Sequence, residues 1–199
     1  MIRKTTVIVA SGDADTQWRR IRKSTEPRAE HPTERKNMVK RIVTKIGYIF
    51  CVEIDHEYKV FFQYVANDLT QLNSSVIRVF KKHYPMDYVP DMDEIVKDQV
   101  DFYAHTVLRY GIVENAWYKV GKHPDLGDVE NIGFRWFSEG NHDKMTKSYK
   151  WYVWKINQEF QHIGEMTKKY RHLDIGVVFP YLQIVTKIKS GEYTYKILD

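Results

Sequence analysis

The side chains best suited to chemistry in this 199-residue sequence are eight histidines, one cysteine and two groups of acids. No histidine pair has the H-x-x-x-H or H-E-x-x-H spacing that brings two imidazoles onto one helix face, and no Cys–His cluster occurs, so zinc ligation has no support. The acidic groups lack the spacing and the glycine of a calcium loop: they are Asp91, Asp93 and Glu94, and Asp125, Asp128 and Glu130. We therefore expect no metal and no cofactor.

A nucleophile or a general base is equally hard to find. His105 lies within an apolar run and is predicted to be a core or boundary residue. Cys51 would need an adjacent cation to be reactive, and its place in a predicted aromatic strand favours a packing role. His123 and His142 lie in polar segments whose composition is that of solvated loops. No phosphate-binding, dinucleotide-binding or nucleophile-elbow glycine motif occurs, so no catalytic residue is predicted.

The basic excess of the chain lies at its N-terminal end. The formal net charge is +5 and the pI is near 9.1, values that suit nucleic-acid binding. Ten of the 31 basic and five of the 26 acidic residues lie in residues 1–40, which leaves 21 of each sign in residues 41–199. A neutral folded part has no overall field to steer it onto a phosphate backbone. Nucleic acid is therefore not the expected partner.

Two other functions stay open on these residues. One is a small enzyme whose site is assembled from dispersed residues such as Asp101, Tyr103 and His105. A deep pocket of convergent titratable groups would favour it. The other is an RNA-binding module that uses the basic N-terminal arm together with exposed rings. A steep salt dependence that is lost on deletion of residues 1–37 would favour this second function.

Composition divides the chain near residue 40. Residues 1–40 contain one aromatic side chain, Trp18, whereas residues 41–199 contain the other 27. The charged segment 19–40 cannot bury enough apolar surface to fold alone. We predict a basic, disordered N-terminal extension over residues 1–40 and a single α+β domain over residues 41–199. Met38 reads as a native start, which would make residues 1–37 a tail or an overextended gene start.

The expected compartment is the cytosol. No run of 18 or more apolar residues and no convincing secretory signal occurs, which predicts neither a membrane span nor export. A single cysteine excludes an internal disulfide framework.

Apolar and aromatic runs separated by turn residues predict a strand-rich fold. Strands are expected at 48–54 and 58–65 as a hairpin, at 75–80, 102–110, 132–137 and 175–179, and at 150–156 and 159–163 as a second hairpin. A short helix is expected over 91–97, and Pro180 and Gly191 are placed to begin and end a last helix. We predict an α+β fold with a strongly curled, mainly antiparallel, barrel-like sheet and two or three short helices.

Aromatic side chains are the best candidates for contact with a partner. Along 150–156 rings occupy both faces of the predicted strand, so the strand is either wholly buried or presents rings to a partner. Rings surrounded by charge are typical of protein-interface hot spots. We predict partner contact by rings and acids in the loop-rich middle of the chain: Trp117, Asp125, Asp128, Trp136, Phe137 and Glu139.

Several phrases of the sequence resemble the immunity protein 26 family of bacterial polymorphic-toxin systems. The resemblance covers roughly residues 40–190 and is carried by segments 45–54, 62–74, 76–82, 100–105, 151–157 and 175–178. One departure is Tyr48, which follows Gly47 where the family commonly has an acid. The resemblance implies a cytosolic protein that binds and neutralises the toxin encoded beside it, with no chemistry of its own.

Overall fold

The computed structural model describes residues 41–139 and 147–195. The predictions for the N-terminal extension at 1–40 and for the loop that contains His142 lie outside these residues. The described residues fall within one compact unit, Arg41–Asp199.

Within these residues the chain forms strands and helices in an α+β order, as predicted. The strands are β1 (Tyr48–Ile54), β2 (Tyr58–Asp68), β3 (Ser74–Phe80), β4 (Tyr84–Pro85), β5 (Val100–Thr106), β6 (Tyr118–Lys122), β7 (Gly133–Phe137), β8 (Trp151–Lys155), β9 (Gln161–Gly164), β10 (Asp174–Ile175) and β11 (Val178–Phe179). The α-helices are α1 (Met92–Ile95), α2 (Leu108–Val113) and α3 (Tyr181–Ser190).

The larger sheet runs in the order β11-β5-β3-β2-β1-β6, with β4 paired to one end of β2. All of its pairs are antiparallel except β11 with β5. Its centre is the predicted hairpin of β1 and β2. Asp55 and His56 turn the chain there with φ values of +50° and +61°, the positive values that a type I′ hairpin turn requires.

The smaller sheet runs in the order β10-β7-β8-β9 and contains the predicted second hairpin, β8 with β9. Among the described residues both sheets are open, because β11 and β6 end the larger one and β10 and β9 end the smaller one without pairing to each other. The prediction of a barrel-like, strongly curled sheet was therefore wrong. Local periodicity indicates strands, but closure depends on which strands meet at the edges.

One face of the larger sheet is covered by α2 and α3. Phe50, Phe62 and Phe102 pack there with Ile184 and Ile188 of α3, each of them at least nine-tenths buried. Helix α3 ends as predicted, with Gly191 in the left-handed conformation at φ +81°. Pro180 caps this helix from the preceding position and does not form its first residue.

The opposite face is divided between two coverings. At one end Cys51, Phe61 and Phe80 pack with Ile95 of α1. At the other end the smaller sheet packs against the larger one. The two sheets share a buried core made of Val65, Ala66, Val76, Ile132, Phe134, Trp154 and Ile156. This second contact positions the smaller sheet, whose two faces carry both of the sites described below.

Candidate functional site

Two of the six predicted contact residues belong to the core. Trp117 and Phe137 are each 1% exposed. The indole of Trp117 donates to the backbone carbonyl of Leu108 at 3.1 Å and packs edge-on against Phe62 with ring centroids 5.2 Å apart. Phe137 lies against Trp151 with ring centroids 5.0 Å apart. Both rings are enclosed by packing and have no surface to offer, so assigning them to partner contact was wrong.

The two predicted aspartates are exposed and hold the loop between β6 and β7. Asp125 accepts the backbone amide of Gly127 at 2.8 Å, and its own carbonyl accepts Nη2 of the buried Arg78 at 2.8 Å. Asp128 accepts the side-chain amide of Asn131 at 2.7 Å. Both carboxylates therefore stabilise the loop through hydrogen bonds. The role of Asp125 and Asp128 in partner contact stays a prediction.

Glu139 is half-buried after the end of β7. Its carboxylate accepts the hydroxyl of Ser148 at 2.6 Å and the backbone amide of Tyr149 at 3.0 Å. These two hydrogen bonds hold the pKa of Glu139 below its ordinary value. Like the aspartates, Glu139 stabilises local structure and remains a predicted contact residue.

Trp136 is the predicted contact residue that the fold places in a continuous aromatic surface. It is half-buried on β7 and lies directly opposite Tyr152 of β8, which in turn lies opposite His162 of β9. Directly opposed residues share a face, so these three side chains form one row across three strands. Tyr152 contacts the ring of His162 at 5.0 Å and the ring of Phe160 at 5.9 Å between centroids.

We call Trp136, Tyr152, Phe160 and His162 the aromatic surface. Phe160 is 48% exposed and rests edge-on against Trp154, whose ring is buried between the two sheets. The row is thus anchored in the core at one end and open to solvent at the other. The sequence indicated rings on both faces of the strand at 150–156 but no row across strands. Phe160 and His162 were missed because their position depends on the register between β8 and β9.

The residues of the enzyme alternative are divided between surface and core. Asp101 is exposed and Tyr103 is half-buried, whereas His105 is fully buried. Nε2 of His105 lies 3.0 Å from Oδ2 of Asp68, which is also fully buried. Burial lowers the pKa of His105, against the opposing effect of Asp68, and favours the neutral imidazole. The prediction that His105 is a core residue is confirmed.

Asp68 joins the two sheets. Its Oδ2 accepts Nε1 of Trp154 at 3.0 Å, and its Oδ1 accepts the backbone amides of Asn157 at 3.2 Å and Gln71 at 3.4 Å. Burial alone would raise the pKa of Asp68, but these bonds and that from His105 outweigh it and hold the pKa below its ordinary value. The carboxylate is satisfied by structural donors and is closed to a substrate in this conformation.

Cys51 has the packing role that the sequence predicts. It is fully buried within the core under α1. Burial raises the pKa of its thiol, only partly offset by a hydrogen bond with Tyr118. A protonated, enclosed thiol is a poor nucleophile.

The acidic groups considered for a cation have other partners. Asp91 caps α1 by accepting the amides of Asp93 and Glu94 at 2.9 and 3.3 Å. Asp93 meets Nε2 of His123 at 2.9 Å, and Glu94 meets Nζ of Lys82 at 2.5 Å. Over residues 41–139 and 147–195 no three metal-ligating side chains lie together as a metal site would need.

A cleft of about 590 Å³ lies on the other side of the smaller sheet and was not predicted. It is bounded by β7, β10, α3 and the segment that follows α3. Its charged, imidazole and hydroxyl-bearing lining residues are Arg135, Arg171, His172, Asp174, Lys187, Glu192, Tyr193 and Tyr195. Nζ of Lys187 lies 3.8 Å from Oδ1 of Asp174, and Nε of Arg135 donates to the carbonyl of Leu173 at 3.0 Å.

Asp174 is a half-buried acid of this cleft whose pKa the fold shifts. Burial raises its pKa to about 6, and the charge of Asp101 adds to the effect. The backbone amide of Tyr103, which donates to Oδ2 at 2.8 Å, and the charges of Lys187 and Arg135 only partly compensate. The ionised carboxylate is therefore held at a cost to stability, as is common where a binding site shapes the choice of residue.

Asp174→Asn is expected to stabilise the fold at pH 8 by about 3 kcal/mol, because burial raises the pKa of Asp174 from 3.8 to about 6 and a tenfold change in proton affinity corresponds to about 1.4 kcal/mol. A raised pKa means that the folded state binds more protons than the unfolded state between about pH 4 and pH 6. The wild-type protein therefore loses stability relative to the variant as the pH rises through this window. Urea unfolding at pH 4, 6 and 8 measures the difference. A difference in unfolding free energy between wild type and Asp174→Asn that stays constant with pH would contradict the raised pKa of Asp174. Asp87→Asn, at an exposed position, is the matched control.

None of the described helices is both long and apolar enough to cross a membrane. No protein-family model, curated protein or solved structure matches the chain. Support for a function therefore comes from this chain's own residues.

Proposed function

We propose that the chain is an immunity-type protein, similar to the immunity protein 26 family, that binds a cognate bacterial toxin in the cytosol and neutralises it. The observation that carries the proposal is the aromatic surface, a row of rings across three strands. It ends at Phe160, which is 48% exposed, beside β9, the edge strand of the smaller sheet.

The physical character of this surface suits a protein partner. Aromatic side chains bury a large area for few rotatable bonds, and tryptophan and tyrosine are enriched among interface hot spots. Ring contacts hold these side chains in place before binding: Trp136 stacks on the core residue Phe137 with centroids 4.9 Å apart, and Tyr152 contacts His162 within the surface at 5.0 Å. Pre-organised side chains lose less conformational entropy when a partner arrives.

The placement of polar groups also favours binding over catalysis. His105 and Asp68 are the only buried imidazole–carboxylate pair among the described residues, and both are fully buried with Nε2 engaged. The neutral charge of residues 41–199 gives an RNA partner no electrostatic advantage. Inhibition by occlusion needs surface complementarity alone, which the aromatic surface offers.

Co-expression with the product of the adjacent gene tests the proposal directly. Cells that express that product together with this chain are expected to survive, and the two proteins are expected to co-purify as a stoichiometric complex. Toxicity that persists despite expression of folded chain, with no complex after mixing purified proteins, would refute neutralisation by binding.

Trp136→Ala is expected to weaken toxin binding by at least about thirtyfold, equivalent to the roughly 2 kcal/mol that defines a hot spot. Isothermal titration calorimetry measures the affinity. The matched control is Tyr110→Ala, because Tyr110 is 63% exposed on α2, away from the smaller sheet, and binding is expected to change less than twofold.

Phe160→Ala provides a second variant, since Trp136 also packs against the core and its loss can affect folding. The exposed ring of Phe160 can be removed with little effect on stability, and a loss of about tenfold or more in affinity is expected. Wild-type affinity in both folded variants would exclude the aromatic surface as the contact.

A further inference from the structure

A buried histidine lies where the two sheets meet. His105 of β5 and Asp68 at the end of β2 are both fully buried. The ring of His105 lies 4.1 Å from that of Phe134 on β7 and 6.4 Å from that of Trp154 on β8, between centroids. Both of these rings belong to the core that the two sheets share. The imidazole is therefore part of the contact that holds the smaller sheet against the larger one.

His105 uses one of its two ring nitrogens. Nε2 lies 3.0 Å from Oδ2 of Asp68, whose lowered pKa keeps the carboxylate ionised at neutral pH. An ionised carboxylate only accepts hydrogen bonds, so Nε2 carries the hydrogen. Nδ1 is buried and makes no hydrogen bond within residues 41–139 and 147–195. The neutral ring therefore has a bare, enclosed lone pair at Nδ1.

A second proton on this ring would have no acceptor. It would bind to Nδ1 and place a positive charge and an unpaired N–H donor in the core between the sheets, which opposes folding. Asp68 is the charged group that acts on His105, and it already accepts four hydrogen bonds. Burial outweighs the attraction of Asp68, so the pKa of His105 lies below its ordinary value of 6.5.

The other neighbours of His105 contribute no charge to the ring. Tyr103 lies on the same face of β5, two residues earlier. Arg78 lies opposite Tyr103 on β3 and donates to the side chain of Gln63 and the carbonyl of Asp125. The nearest residues on the other elements are not ionisable: they are Val76 of β3, Val178 of β11, Phe134 of β7 and Trp154 of β8.

We propose that His105 is a pH switch that opens the contact between the two sheets under mildly acidic conditions. An opened contact exposes Nδ1 to water, which accommodates the proton, so protons favour the open state. The larger sheet keeps its own cores under α1, α2 and α3, so the opening can stay local. The smaller sheet carries the aromatic surface, and an effect of pH on toxin binding therefore rests on the proposed function, whereas the switch itself does not.

The sign of the pH effect follows from the lowered pKa of His105. Below pH 6.5 the open state, with an ordinary imidazole, binds more protons than the closed state. The contribution of His105 to the contact is therefore complete above this range and is lost as the pH falls through it. Asp174 has a raised pKa and acts in the opposite direction, so the test must compare proteins that share Asp174.

Hydrogen exchange of the full-length chain measures the opening at the indole N–H of Trp154, which donates to Asp68 at 3.0 Å. The reference variant is His105→Gln, which keeps an N–H donor and does not titrate. The protection factor of wild type relative to that of His105→Gln is expected to fall by about fivefold to twenty-five-fold between pH 7 and pH 5. The upper figure is the limit for an imidazole of ordinary pKa that gains its proton only in the open state.

Two controls make the result specific. His83→Gln, at an exposed position, is expected to retain the pH dependence of wild type. At pH 5 the indole of Trp154 is expected to be at least tenfold less protected than the amides of Phe50 and Phe62 in the larger sheet. The same pH dependence in wild type and His105→Gln, or equal protection at all three groups, would overturn the switch.

A measurement on wild type alone tests the same proposal, whether or not His105→Gln folds. Ring nitrogen chemical shifts are expected to show a neutral His105 with hydrogen on Nε2 at pH 7, and a ring that is still neutral in the folded protein at pH 6. An ordinary imidazole is about three-quarters charged at pH 6. A charged His105 in the folded protein at that pH, or hydrogen on Nδ1 at pH 7, would contradict the proposal.

Discussion

Asp68→Ala is expected to lower the free energy of unfolding by about 3–5 kcal/mol, the usual result of removing one partner from a buried charged network. The side chain is fully buried and accepts four hydrogen bonds, two from side chains and two from backbone amides. Alanine leaves these donors without an acceptor in a region that excludes water.

The expected loss of stability is large because the hydrogen bonds of Asp68 join different parts of the fold. Asp68 ends β2 in the larger sheet, whereas Trp154 and Asn157 belong to the β8–β9 hairpin of the smaller one. His105, on β5, brings its ring to 4.1 Å from Phe134 of β7. Each buried unsatisfied donor costs about 1–3 kcal/mol, and the contact between the sheets weakens with them.

Urea unfolding followed by tryptophan fluorescence measures this effect. Asp68→Asn keeps the shape and one acceptor oxygen, and a smaller loss than for alanine is expected. Exposed Asp87→Ala is the control, with a change within about 0.5 kcal/mol. A stable Asp68→Ala variant would mean that the carboxylate is not needed for packing, and a functional role for the His105–Asp68 pair would then be the better explanation.

Trp117→Ala is expected to destabilise the fold by about 3–5 kcal/mol, as for other large-to-small aromatic substitutions in cores. The ring fills the space between Phe62 and the helices, with Tyr181 of α3 at 6.5 Å between centroids. A Cβ atom at Gly111 would overlap the same indole. The substitution therefore opens a cavity under α2 and frees the carbonyl of Leu108, which accepts the indole N–H.

Thermal and urea unfolding distinguish this structural role from partner contact. Trp117→Phe is expected to lose less stability than Trp117→Ala, because phenylalanine fills most of the volume of the indole. Tyr110→Ala, on the exposed side of α2, serves as the control. A Trp117→Ala protein with wild-type stability and weakened toxin binding would reverse the conclusion and return Trp117 to the binding surface.

Local patterns were sufficient for the elements that form from their own neighbours in sequence. The hairpin of β1 and β2 follows from two β-branched and aromatic runs around a short polar turn, and the end of α3 follows from Gly191 in a left-handed conformation. The burial of Cys51 and His105 also follows from the apolar runs that contain them.

Elements that depend on distant contacts were predicted less well. The strand expected at 102–110 ends at Thr106. Helix α2 begins at Leu108 and packs on Trp117. The strand expected at 175–179 is divided at Gly176, so that β10 pairs with β7 and β11 pairs with β5. A Cβ atom at Gly176 would overlap the ring of Trp154. The close contact between Gly176 and Trp154 cannot be predicted from the residues next to either of them in sequence.

An α+β fold rich in short strands, a neutral folded part and a supply of rings suited to a protein interface could be predicted from the amino-acid sequence alone. Which rings are available depends on tertiary structure, because Trp117 and Trp136 are each followed in sequence by a second aromatic residue but differ in how far other strands and helices cover them. The cleft is likewise a product of tertiary structure, since Arg135, Asp174 and Lys187 come from three elements. The sequence states the type of each side chain. Its exposure, and which other side chains it meets, depend on pairing between strands that are far apart in the chain.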